Sequence, residues 1–122
     1  MTLQYEIKIE VLDNCYSILT RLDEILYDLV PVSEYSTLII NTAQIHVENV
    51  MGSVNEFDCT YNESYIKQNL VQLNDIIENI EMIADCNLIA EYANKCMIFN
   101  DYINEINECI SNIYDLIFNI FE

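Results

Sequence analysis

Residues 99–122, FNDYINEINECISNIYDLIFNIFE, decide how this chain folds. Phe99, Ile103, Ile106, Ile110, Ile113, Ile117 and Ile120 alternate steps of four and three without a phase error. That spacing lines side chains along one face of an α-helix, whereas a strand would need steps of two. A second series, Asp101, Glu105, Glu108, Asn112, Asp115, Asn119 and Glu122, follows the same rhythm two residues later. The stretch reads as a helix with one packing face and one negative face. Tyr114, Phe118 and Phe121 add an apolar second side near its end, which a neighbouring helix or a second subunit must cover.

Working outward from this helix, the same periodicity recurs. Ile66, Leu70, Leu73, Ile77, Ile80 and Ala84 form a regular seam, so a third helix is expected to start near Asn62 or Ser64. Between Ala84 and Ile89 the rhythm slips by one residue. Asp85, Cys86 and Asn87 offer capping side chains there, which predicts a tight turn, with a stutter in one continuous helix as the alternative. A final helix over 88–121 would be about 50 Å long, long enough for a kink near Asn100 and Asp101.

Upstream, residues 3–11, LQYEIKIEV, alternate apolar and polar like a strand. The longer series Ile7, Val11, Cys15, Ile18, Leu22, Ile25 and Leu29 favours a helix from about Leu3 to Val30 instead. A strand followed by a helix from Asp13 is the other reading. Pro31 stops this helix and Ser33 can cap a second, from Glu34 to about Met51 or on to Phe57 past Gly52. Residues 52–63 are the expected loop. The fold class is therefore all-α: one domain over 1–122, an antiparallel bundle of about four helices, five if the last is kinked, or one with an N-terminal strand. One Gly and one Pro in 122 residues suit long helices better than a sheet with many tight turns.

Composition limits function. Twenty-one Asp and Glu against four Lys and Arg give a formal net charge of −17. A direct nucleic-acid binder needs a basic footprint and is excluded on that ground. Five cysteines at irregular spacing, with no CxxC pair, are read as reduced thiols acting as small apolar residues. No secretory signal is visible, and the longest uncharged run, Tyr35 to Val47, is too short to span a bilayer, so a cytoplasmic location is expected. His46 is the single histidine. Neither a metalloprotease motif, a Glu-x-x-His pair, a phosphate-binding glycine loop nor an EF-hand loop occurs, so no catalytic residue, metal or cofactor is assigned.

What remains is surface. Asp101, Glu105, Glu108 and Asp115 form one line of carboxylates, Glu78, Glu81 and Asp85 a second, and Glu6, Glu10, Asp13 and Glu24 a third. Such lines side by side would partly imitate the phosphates of a duplex and attract a partner with a basic, nucleic-acid-binding surface. In size and composition over the whole chain, small acidic lysine-poor proteins of this sort resemble virus- and phage-encoded anti-restriction and anti-CRISPR inhibitors, some of which imitate DNA. That resemblance implies a non-catalytic inhibitor that occludes the nucleic-acid channel or PAM-reading surface of a defence nuclease. The alternative is a helical assembly or host-interaction protein, like an antitoxin or adaptor, that docks through Tyr114, Phe118 and Phe121 or forms a homodimer there. A third reading leaves the charge as a solubilising coat.

Overall fold

The apolar stripes become four helices around one core. The structure is a computed structural model that describes residues 5–26, 34–54, 63–87 and 93–118, with side chains over 5–26, 37–54, 63–82 and 98–118. The elements are α1 (Tyr5–Glu24), α2 (Glu34–Val54), α3 (Glu63–Asn87) and α4 (Ala93–Phe118). Among the described residues there is no strand, and no helix is long and apolar enough to cross a membrane.

Each stripe is the buried face of its helix. Val11, Cys15, Ile18, Leu22 and Ile25 come from the first, continuing into a wider turn at Ile25 and Leu26. Ile40, Ala43, Val47, Val50 and Val54 come from α2, and Ile66, Leu70, Leu73, Ile77 and Ile80 from α3. Phe99, Ile103, Ile106, Ile110, Ile113 and Ile117 complete the core from α4. Full burial of one such side chain contributes about 1.5–3 kcal/mol.

Pairing is cyclic. α1 packs on α2 and α4, and α3 packs on α2 and α4, with no diagonal contact among the described residues. Asn14 meets Asn112 and Arg21 meets Glu105, so seven residues forward along α1 match seven backward along α4. The two helices are antiparallel. The α1–α4 and α2–α3 seams thus lie on opposite sides of the bundle, and the α3–α4 seam is the thinnest described contact.

Two boundaries are corrected and two alternatives fall away. Tyr5 to Val11 is helical, as the longer series favoured, and not a strand: the alternation left Tyr5 and Ile9 exposed, while the helical register buries Val11, Cys15 and Ile18 completely. The loop expected from residue 52 starts later, because α2 runs through Gly52 to Val54. Gly52 carries no crowding neighbour and gives up only helix propensity. The turn expected at Asp85 to Asn87 is displaced, because α3 continues through these residues. They form the last helical turn of α3. A single continuous helix with a stutter is excluded, since α3 and α4 lie side by side and share a groove. α4 runs unbroken through Asn100 and Asp101, which makes the count four. The expected ends Leu3, Val30, Phe57, Leu88 and Phe121, and the stop and cap at Pro31 and Ser33, lie outside the described residues.

Candidate partner-binding surface

On α4 the acidic row has a fixed neighbour. Glu105 accepts a hydrogen bond from Arg21 Nε, and Asn112 Nδ2 donates to Asn14 Oδ1 at 3.3 Å, both across the seam to α1. Asp101 and Glu108 precede and follow Glu105 by one turn, so they share its side of the helix and are exposed. Asp115 lines a groove of about 400 Å³ with Glu10, Asp13, Asn14, Asn112 and Leu116. The rows of α1 and α4 therefore converge on one face.

A charge density follows from the register. From Asp101 to Asp115 the rise is about 21 Å. Opposite that length α1 supplies Glu10, Asp13 and Glu24, so seven carboxylates face one guanidinium and six net negative charges remain. One net charge per roughly 3.5 Å is close to the linear density of a single DNA strand.

Arg21 occupies the middle of this face. Besides Glu105 it reaches Glu24, with Nη1 to Oε2 at 2.8 Å, and its guanidinium sits 4.5 Å from the centre of the Tyr102 ring. The hydrogen bond that Arg21 donates to Glu105 leads the effects that raise the Arg21 pKa. A hydrogen bond from Tyr102, then one from Arg21, hold the Glu24 carboxyl below its ordinary range. The exposed ion pair and ring contact are each modest, about 0.2–1 kcal/mol. Their role is to fix the helix register where the acids would otherwise repel.

The third row points elsewhere. Glu78 and Glu81 line a groove of about 450 Å³ between α3 and α4, together with Asp75, Val71, Ile110 and Tyr114. They share no face with Glu105 or Asp115, because the two flanks of α4 touch different neighbours. Asp85 is in the last turn of α3 with its side chain outside the described residues, and Phe121 lies outside them altogether. Tyr114 and Phe118 are half-buried against the core, ring centroids 5.4 Å apart, so the apolar second side of α4 is turned in part toward α3.

His46 joins a different arrangement, on the seam between α2 and α3. Asn69 is 4% exposed; its Nδ2 donates to the Tyr65 carbonyl at 2.9 Å and its Oδ1 accepts from Asn49 Nδ2 at 3.1 Å. The same oxygen lies 2.8 Å from His46 Nδ1, so this nitrogen carries the proton. No group of His, Cys, Asp and Glu among the described residues could hold a metal ion. Cys15 and Cys109 are free, and burial pushes the Cys15 thiol up to about 12, which keeps it protonated and unreactive.

Sequence reasoning named the three rows, Asn112 within the α4 series, but missed Arg21, Asn14 and Tyr102, which bind two of the rows together. A signal was present, since Asn14 and Arg21 stand seven apart, as do Glu105 and Asn112. Compared with known proteins, the chain has no match: no family model, curated protein or solved structure aligns with it.

Proposed function

We propose that this chain is a non-enzymatic interaction protein whose α1–α4 face occupies the basic, nucleic-acid-binding surface of a protein partner and so inhibits it. One observation carries the reading: Glu10, Asp13 and Asp115 share a groove, with Glu105 fixed beside them by Arg21. A partner site shaped to hold a strand's phosphates meets a comparable line of carboxylates, already spaced by two rigid helices. Attraction between such surfaces speeds encounter and falls with salt. The size and acidity shared with anti-restriction and anti-CRISPR inhibitors of viruses and phages suit the same role in a cytoplasm.

The test is capture from a nuclease-treated lysate on the immobilised chain. The expected result is a nucleic-acid-binding protein, released by moderate salt, displaced by duplex DNA and lost with Glu108→Lys/Asp115→Lys. A captured partner indifferent to salt, to DNA and to these reversals would overturn the proposal. Docking through Tyr114 and Phe118, the competing reading, would respond to Phe118→Ala instead; the partial burial of both rings leaves less of that side to offer.

A further inference from the structure

Arg21 rests in a seat built by other residues. Glu105 accepts a hydrogen bond from its Nε and Glu24 one from its Nη1 at 2.8 Å, while the guanidinium lies 4.5 Å from the centre of the Tyr102 ring. Carboxylate oxygens for the N–H groups and an aromatic face for the flat cation suit a guanidinium better than an ammonium. The seat also lies in the last turn of α1, at the carbonyl end of that helix, which favours a cation. Its shape does not depend on its occupant. Tyr102 hydrogen-bonds Glu24 directly, Asn14 and Asn112 tie α1 to α4 two turns away, and the neighbouring Ile18, Leu22 and Ile106 are fully buried in the core. The occupant is lightly held. The side chains of Arg21, Glu24 and Glu105 keep 31%, 33% and 48% of their surface in water, and contacts so exposed are modest.

We infer that Glu24, Glu105 and Tyr102 form a guanidinium-binding site on the α1–α4 face, which Arg21 holds in the free chain and yields to an arginine side chain of the partner. Surfaces that hold phosphates use arginine because its planar fork pairs with two oxygens at once. Such an arginine meets Glu24 and Glu105 in the arrangement Arg21 already adopts. Exchanging one guanidinium for another keeps both carboxylates paired, so the partner's cation enters without stranding a charge. The exchange is selective as well: a cation without the planar fork must displace one that fits the seat better. That the incoming arginine belongs to a nucleic-acid-binding partner rests on the reading of the α1–α4 face proposed above, whereas the site itself is tested with no partner present.

The experiment is an NMR titration of the full chain with N-acetyl-arginine amide and with its lysine counterpart, for the wild type and for Arg21→Met. Arg21→Met opens the seat and should bind the arginine amide about three- to tenfold more tightly than the wild type, with shifts centred on Tyr102 and weaker binding of the lysine amide. Adding Tyr102→Leu should erase that gain. Lys67→Met, which removes one positive charge from α3 instead, should leave the affinity at the wild-type level. In the wild type, saturating arginine amide should move the Arg21 Nε signal, a readout that needs no variant to fold. Equal affinity of Arg21→Met and the wild type, equal binding of the two amides, or an Arg21 Nε signal unmoved at saturation would overturn the inference. A failed titration removes the arginine seat alone, whereas a failed lysate capture removes the partner class alone.

Discussion

The two opposed seams of the bundle are built from similar helices yet joined by different physics. Across α1–α4 the polar contacts are exposed, an Asn14–Asn112 hydrogen bond and an ion-pair cluster with Arg21 set between Glu24 and Glu105. Across α2–α3 they are sheltered and centre on an amide, with one buried Asn69 serving His46, Asn49 and the Tyr65 carbonyl. A charged, solvated seam can change its neighbours at little cost to the fold, and is open to a partner that brings cations. A seam with a buried amide fixes register more strongly. Partitioned in this way, one helical bundle carries two unlike surfaces.

Four substitutions break or sharpen this contrast. The largest effect lies in the core beneath both seams. Ile106→Ala should cost about 2–5 kcal/mol in chemical denaturation, whatever the salt. A cost below that range would mean the stripe is not the shared support. Next comes the amide seam. Asn69→Ala leaves the His46 and Asn49 donors and the Tyr65 carbonyl without their partner and should cost about 1–3 kcal/mol, equally at low and high salt. At the charged seam Arg21→Met should cost about 1 kcal/mol, shrinking as salt is added. If the two seams gave the same salt response, the contrast between them would fail.

The smallest effect is in pH. Glu24 has a folded pKa below its ordinary 4.5, so the unfolded chain holds more protons and stability gained from this group rises with pH. The gain is fully present above the ordinary value and lost as pH falls through the lowered one. Thermal unfolding of the wild type and of Glu24→Gln should therefore differ most near neutrality and converge in acid. A difference that grows on acidification would assign the opposite sign.

Much of the fold was legible because burial imposes a period. The stripe from Phe99 to Ile117 is buried at every position, as are the α1 stripe from Val11 to Ile25 and the α3 stripe from Ile66 to Ile80. Boundaries were less legible where two local signals compete. Tyr5 and Ile9 fit a strand's alternation and are the residues the helix leaves exposed. Gly52 and Asp85 to Asn87 carry loop chemistry, yet the helical turns that precede them carry the helix through them. The candidate surface divides in the same way. Each acidic row could be read along its own helix, but convergence depends on which flank of α4 meets α1 and which meets α3. Spacing within one helix does not contain that choice; the order of packing decides it, and it sends Glu78 and Glu81 to the groove of Tyr114 and away from Asp115.

The most direct measurement of the central claim compares two double reversals of equal charge change: Glu108→Lys/Asp115→Lys on the α1–α4 face and Glu78→Lys/Glu81→Lys in the α3–α4 groove. Affinity for a captured nucleic-acid-binding partner would be measured across a salt series for each. The account predicts that the first pair abolishes binding and flattens its salt dependence, while the second weakens it only slightly through net charge. Equal losses from both pairs would contradict it, because total charge rather than the face assembled by α1 and α4 would then govern recognition.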